Sequence, residues 1–379
     1  MKKALVVASV ASMIDQFTIP NIIELQRLGY GVDVVANFDD GGSITKERAS
    51  ALKKRLEAMD VKVVNAPIPR GPFAVCDIIK SYRIIRGLSR ENGYGIMHCH
   101  SPIGGAVARL GTRRERKRRV TRVVYTAHGF HFYKGAPKKN WLLYYPVEKI
   151  CARFTDVLVT INSEDFEFAV RKLRAGRVEY IAGVGIDTER FSGAGVDKAA
   201  KKASLGIPTD AQVVFSVGEL NRNKNHETVI RAVAGLDSHV HYVIAGKGAL
   251  DTHLTELAKE LGVSDRVHLI GYREDVAELY RMADVFAHPS YREGLPVSVM
   301  EAMASGLPIV ASKIRGNVDL IKESGGFLLS PDDVDGLKNA LEKILSDADM
   351  RKKMGDFNTV EARKYSYEAI EKAILGIYR

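Results

Sequence analysis

The feature that most constrains the fold is an alternation, run through twice, of short β-branched apolar runs with longer stretches of helical period. It opens with Ala4–Ala8 followed by Phe17–Leu28, then Val32–Ala36 by Ile44–Met59, and Val61–Val64 by Phe73–Arg90. Ile96–Cys99, Val123–Thr126 and Val157–Ile161 continue the series. Short continuous apolar runs are strands buried on both faces, and intervening helices are what parallel pairing requires. Around residues 183–202 the chain becomes rich in Gly and Ala and loses its apolar period, as a connection between domains does. A second series follows: Val213–Val217, Tyr242–Ala245, Val267–Ile270 and Val285–Ala287 lead into helices from about His226, Leu250, Val276 and Pro296. Pro308–Ala311 and Phe327–Ser330 come next, with helices near Val334–Leu345 and Tyr367–Ile377. The expected fold is α/β: two doubly wound, Rossmann-like domains, residues 1–195 and 196–379, with the final helix (about 366–379) packing back toward the first. Such sheets bind ligands at the carboxyl ends of their strands, so the active site is expected in a cleft between the domains.

A chain of 379 residues that is 46% hydrophobic and 27% charged has the composition of an ordinary globular protein, which excludes disordered and collagen-like classes. The longest apolar stretch, Ala4 to Ile14, already contains Ser9 and Ser12 and is too short to span a bilayer. Lys2-Lys3 before it also suit a secretory signal, but a first strand running into a helical pattern explains the residues better. Cys76, Cys99 and Cys151 are odd in number and unpaired in spacing, which argues against a disulfide framework or zinc site and for a cytoplasmic location.

Charge is uneven. Residues 1–195 hold 32 Lys and Arg against 19 Asp and Glu, whereas residues 196–379 hold 24 against 27. The densest basic run is Arg113, Arg114, Arg116, Lys117, Arg118 and Arg119, broken by Glu115. A solvated loop and an anionic bilayer surface both account for it; no recognition-helix, zinc-finger or stacking-sheet signature points to nucleic acid.

Two segments of the second half carry chemistry. Gly218-Glu219-Leu220-Asn221-Arg222-Asn223-Lys224 leaves a strand and enters a helix near Asn225, which puts two cations beside helix-start amides where a diphosphate can sit. Glu293-Gly294-Leu295-Pro296 is a turn whose proline opens a helix, with Glu301 just over one turn inside. Taken alone, each segment also suits ordinary loop charge and helix capping.

Together with Ile-Ala-Gly-Lys-Gly (244–248), Leu-Ile-Gly-Tyr-Arg-Glu-Asp-Val (269–276) and the full run from Glu293 to Pro308, these segments resemble the family 4 glycosyltransferases of GT-B fold. Tyr-Thr-Ala-His-Gly-Phe-His-Phe (125–132) resembles the active-site histidine segment of the bacterial polysaccharide branch. The resemblance implies that Lys224 and Arg222 hold a donor diphosphate, with Gly218 at the strand end and Gly294 and Leu295 offering amides. It implies further that Glu301 takes the ribose, Glu293 the transferred sugar, and the backbone at Tyr272-Arg273 the base. His128 would reach the donor sugar across the cleft, though alone it reads equally as a packed core histidine, and His98, His100 and His131 lack the spacing of a closed zinc site. Glu219 stands where the family often has Arg, and Ser9–Phe17 lacks the usual double glycine. In that loop Asp15 either accepts from an acceptor hydroxyl or caps the helix beginning at Phe17; His131 is a second acceptor-binding candidate.

The implied activity is a retaining sugar transfer from a nucleoside diphosphate donor, a UDP-sugar in this branch, to a hydroxyl of a polyprenyl-diphosphate-linked glycan. Protein cations would take a metal's place, so no metal or other cofactor is expected. The lipid acceptor and peripheral attachment to the inner face of the cell membrane rest on the basic first half and on Phe130, Phe132, Tyr133, Trp141, Tyr144 and Tyr145 interleaved with Lys134, Lys138 and Lys139. A buried helix is the competing reading of Trp141–Ile150. A UDP-sugar 2-epimerase of the same fold and a non-catalytic nucleotide-sugar-binding protein are the alternatives; no nucleic-acid partner is expected.

Overall fold

The computed structural model describes residues 2–40, 42, 44–193 and 195–378. The chain forms two compact units, Met1–Val184 with Ile370–Arg379, and Gly185–Ala369. The first contains a seven-stranded sheet of β1 (Lys2–Val10), β2 (Tyr30–Asn37), β3 (Lys62–Asn65), β4 (Ile96–His100), β5 (Arg122–Ala127), β6 (Val157–Thr160) and β7 (Arg177–Tyr180) in the order β3-β2-β1-β4-β5-β6-β7. The second contains β8 (Gln212–Val217), β9 (Val240–Ala245), β10 (Val267–Leu269), β11 (Val285–His288), β12 (Ile309–Ser312) and β13 (Gly326–Leu329) in the order β10-β9-β8-β11-β12-β13. All the pairings between these strands are parallel.

The first strand shows why its sequence carries no polar alternation. Ala4, Val6 and Ala8 enter the core on one face of the sheet while Leu5 and Val7 enter the core on the other, so both pleat faces are dry. Ile370, Ile374, Ile377 and Tyr378 of the closing helix Tyr367–Tyr378 share the core of Ala4, Val6 and Ala8. In each sheet the strand order reverses once, between β1 and β4 and between β8 and β11, and the carboxyl ends at such a switch point are where a ligand finds room.

Three expectations need correction. The units divide after Val184, not at 195/196, because Ile186 and Phe191 are buried and Phe191 packs its ring 5.7 Å from that of Tyr280 in the second unit. The first helical segment begins at Ala11, ahead of Phe17, and passes through a π-turn over Ile14–Thr18 before Ile19–Arg27. Asp15 therefore lies inside that segment and caps nothing; its carboxylate pairs with Arg48 Nε at 2.8 Å. The basic run is helical up to Lys117, forming the last turns of the helix Pro102–Lys117, where cations oppose the negative end of the helix dipole. Arg116 is turned inward onto Asp156 at 2.8 Å, leaving Arg113, Arg114, Lys117, Arg118 and Arg119 exposed.

Candidate active site

In the second unit the strand ends beside the switch point are built by close backbone approach. A Cβ on Gly246 would stand 1.8 Å from the Gly218 carbonyl oxygen, so the ends of β8 and β9 meet only because glycine occupies position 246. After Gly218 the chain turns through Asn225, which adopts φ +54° and donates to the carbonyls of Pro289 (3.1 Å) and Pro331 (2.9 Å) before the helix His226–Ala234. That turn lays the Lys224 stem over Gly218 and brings its Nζ to 2.7 Å from Glu293 Oε1. His288, the last residue of β11, places Nε2 3.2 Å from the same oxygen. Arg315 Nε donates to the Glu293 carbonyl at 3.2 Å. Gly316, at φ +83°, passes so close to Gly294 that a Cβ would stand 2.4 Å from its oxygen. The Glu293-Gly294-Leu295 turn is thus clamped from both sides just ahead of the helix Val297–Ala304, whose N-cap is Pro296.

The two carboxylates differ electrostatically. Burial alone would raise the Glu293 carboxyl, but the Lys224 ammonium and the His288 hydrogen bond outweigh it and hold the group well below the usual carboxylate range. Burial dominates at Glu301 and pushes it up to about 7, against the opposing hydrogen bond from the Tyr280 hydroxyl (3.0 Å) and the charge of Arg190. His288 itself is pushed down by burial.

The remaining expected donor residues are placed less uniformly. Arg222 lines a separate cavity of about 330 Å³ with His226, Glu227, His253 and Tyr291, and neither Lys224 nor Glu293 lines it. Tyr272 is 60% exposed, and the Arg273 guanidinium is committed to Asp275 at 2.8 and 2.6 Å. The sequence places His288 at a strand end (287–290), where a ligand belongs, but gives its side chain no role, and Arg315 and Gly316 have no local signal because both act by tertiary contact. The Asp-x-Asp spacing at Asp333-Val334-Asp335 after β13 is a helix start, with Asp333 accepting from Gly336 N at 2.8 Å.

In the first unit, His128 and His131 line one cavity of about 220 Å³ with Tyr125, Phe130, Tyr144 and Glu148. Glu148 is held by Arg109 through two bonds of 3.0 and 2.9 Å and accepts from the Tyr125 hydroxyl at 3.1 Å, while the guanidinium lies 3.8 Å from the Tyr125 ring centroid. Gly105 makes room for that ring, since a Cβ there would lie 2.5 Å from it. Phe17 of the π-turn reaches His128 at 5.2 Å between ring centroids. Of the aromatics expected at a bilayer surface, Phe130 and Phe132 are buried, while Tyr133, Trp141, Tyr144 and Tyr145 are half-buried, with Trp141 and Tyr145 packed against Phe132 and Phe168. Among the described residues no group of three or more His, Cys, Asp or Glu is placed to hold a metal ion, and no helix is long and apolar enough to cross a membrane.

Two doubly wound parallel sheets in one chain, with polar groups gathered at their switch points, define a protein of the GT-B type. Residues 197–359 match the family of glycosyl transferases group 1, and residues 22–182 match the glycosyl transferase 4-like domain. Over 383 aligned positions, covering 100% of this chain and 96% of the relative, the sequence is 35% identical to EpsD of Bacillus subtilis (strain 168), which bears a glycosyltransferase name. It is 31% identical over 277 residues, 71% of each chain, to the UDP-Gal:alpha-D-GlcNAc-diphosphoundecaprenol alpha-1,3-galactosyltransferase of Escherichia coli. The crystal structure of Anabaena HepE in complex with UDP shares the fold with a TM-score of 0.80 at 19% identity, over 100% of this chain and 99% of that one. The chain belongs to the family 4 glycosyltransferases and is a hexosyltransferase-type enzyme.

Proposed function

We propose that this glycosyltransferase takes its sugar from a UDP-sugar and transfers it, with retention of anomeric configuration, to a hydroxyl of a polyprenyl-diphosphate-linked glycan in bacterial surface polysaccharide synthesis. The observation that carries the donor half is the clamped turn at Glu293, with Lys224 Nζ 2.7 Å from the carboxylate and the N-terminus of Val297–Ala304 beside it. A diphosphate entering there meets a cation and unsatisfied helix-start amides together. Glu301, near the midpoint of its titration at neutral pH, accepts from ribose hydroxyls in its ionised form. His128 serves the donor sugar in the same reading, and Asp15 and His131 the acceptor.

In the step itself the bond from the sugar's anomeric carbon to the diphosphate oxygen breaks and a bond to the acceptor oxygen forms on the same face. The acceptor proton passes to the departing phosphate, so no enzyme nucleophile is needed. Negative charge grows on the diphosphate as it leaves, and Lys224 with the amides of Gly294 and Leu295 stabilises it more in the transition state than before. These groups supply the charge a metal would, which is why we read the reaction as metal-independent.

The acceptor half rests on the Escherichia coli relative's named diphosphoundecaprenol acceptor and on one surface of the first unit. Helix Lys138–Ala152 turns Leu142 (77% exposed), Leu143, Val147 and Ile150 to solvent beside Lys138, Lys139 and Lys149, and it packs against Pro102–Lys117 with its basic end. Apolar side chains flanked by cations suit an anionic inner leaflet. The test supplies UDP-, GDP- and ADP-sugars with a prenyl-diphosphate-linked glycan and reads product anomer by NMR. Transfer from a UDP-sugar with retained configuration, lost in Lys224→Ala, is expected; inversion, or transfer only from another nucleotide, contradicts the reading.

A further inference from the structure

His98 and His100 stand two residues apart on β4 and so share a face of the sheet, with His128 beside them after β5. The ring centroids lie 4.3 Å apart for His98 and His100, and 5.3 Å for His100 and His128. Burial pushes His98 down to about 3, His128 down to about 4 and His100 well below its ordinary value, so at neutral pH each ring carries a single proton whose position is open to choice.

The surroundings make that choice. His100 Nδ1 lies 3.0 Å from His128 Nε2, so one of these nitrogens donates to the other. His100 is 1% exposed, and its Nε2 has no hydrogen-bond partner among the described residues. If His128 were the donor, His100 would have to carry its proton on Nε2, burying an N–H without a protein acceptor, the rarest kind of unsatisfied group. If His100 is the donor, only a bare ring nitrogen is left without a partner, and His128 must hold its own proton on Nδ1. His98 is held separately. Its Nδ1 lies 2.6 Å from Tyr378 Oη, which accepts from Asn21 Nδ2 at 3.1 Å, and its Nε2 lies 2.8 Å from Thr126 Oγ1.

We propose that His100 is a positioning residue that holds His128 as the Nδ1–H tautomer, so that His128 meets the sugar as a hydrogen-bond donor and not as a base. The second clause rests on the placement of His128 at the donor sugar; the tautomer itself does not.

The test is ring-nitrogen NMR of the full chain labelled with ¹⁵N-histidine near pH 7, with His128 assigned through His128→Gln. The expected spectrum has His128 protonated on Nδ1 and bare on Nε2. In His100→Asn the amide Nδ2 stands where Nδ1 stood and keeps that form, whereas His100→Leu, which fills the space without a donor, lets the Nε2–H form appear. A wild-type His128 protonated on Nε2, with His100 donating to a buried water, overturns the proposal even if neither variant folds; so does a tautomer unmoved in His100→Leu. Kinetics tests the second clause independently. Loss of one neutral hydrogen bond in the transition state lowers kcat about tenfold with donor KM little changed, and His100→Asn restores it. A shifted tautomer with unchanged kcat removes His128 from the sugar and leaves the tautomer assignment standing.

Discussion

An ion pair near the carboxyl ends of the strands can be compared in each unit, Arg109 with Glu148 in the first and Lys224 with Glu293 in the second, and the two are built to opposite ends. Arg109 and Glu148 are 0% and 5% exposed, joined by two bonds and closed by the Tyr125 hydroxyl. Lys224 and Glu293 are 21% and 13% exposed, joined by one bond of 2.7 Å, with His288 as the only other side chain recorded on the carboxylate among the described residues. A buried bidentate pair cannot admit a third charge without being dismantled. A point-charge ammonium on a flexible stem, holding one carboxylate oxygen and open to water, can turn to an incoming phosphate at little cost. Near-identical charge chemistry thus serves as a fastener in the first unit and as an exchangeable partner in the second.

Breaking the fastener is expected to have the largest effect. Arg109→Met leaves Glu148 buried without its cation and should cost about 3–5 kcal/mol of stability in denaturant unfolding. A loss below about 1 kcal/mol would place Arg109 among ordinary surface charges. Next come Lys224→Ala and Glu293→Gln, expected to lower transfer roughly a hundredfold or more, as removal of one charge-stabilising group does. Their unfolding transitions should move less than that of Arg109→Met; equal destabilisation by both pairs would erase the distinction between them.

Glu301 sharpens the comparison through pH. Its folded value of about 7 lies above the ordinary 4.5, so between these limits the folded chain holds a proton that the unfolded chain has released, and stability falls as pH rises through that window. Ribose hydroxyls favour the ionised form. UDP affinity relative to Glu301→Gln, which shares the nucleotide's own titration, should therefore drop by up to about tenfold per unit below pH 7. A ratio flat from pH 5 to 8 would remove Glu301 from the ribose. Smaller still is the surface effect. Neutralising Arg113 or Arg114 to Gln should weaken binding to anionic vesicles about fivefold each, with Leu142→Ser weakening it further and transfer to a soluble acceptor unchanged.

The second unit was the more legible in sequence. Lys224, Glu293 and Glu301 sit in segments whose strand end, cationic loop and proline-opened helix are all local, so their placement followed from short stretches of chain. Arg315 and Gly316 clamp the Glu293 turn from twenty residues away, and only the folded sheet reveals them. In the first unit local signals misled more often. The charge run at 113–119 suggested a loop, yet Arg and Lys are good helix formers and no Gly or Pro interrupts them. Asp15 reads as a cap because the helical period is evident only from Phe17 onward, and the helical turn from Ala11 and the π-turn after it have no recognisable pattern. Residues 183–202 looked like a linker through their glycines, although Ile186 and Phe191 anchor their early part to the second unit's core.

The central claim, that the second unit's exchangeable pair and Glu301 form a uridine diphosphate site, is tested most directly by thermal unfolding of the wild type, Lys224→Ala and Glu301→Ala with UDP, GDP or ADP. UDP at about a hundred times its Kd should add roughly 2.7 kcal/mol to the wild type. GDP and ADP should add far less, and both variants should lose most of the UDP effect. Equal stabilisation by all three nucleotides, or an undiminished UDP effect in both variants, would contradict the account.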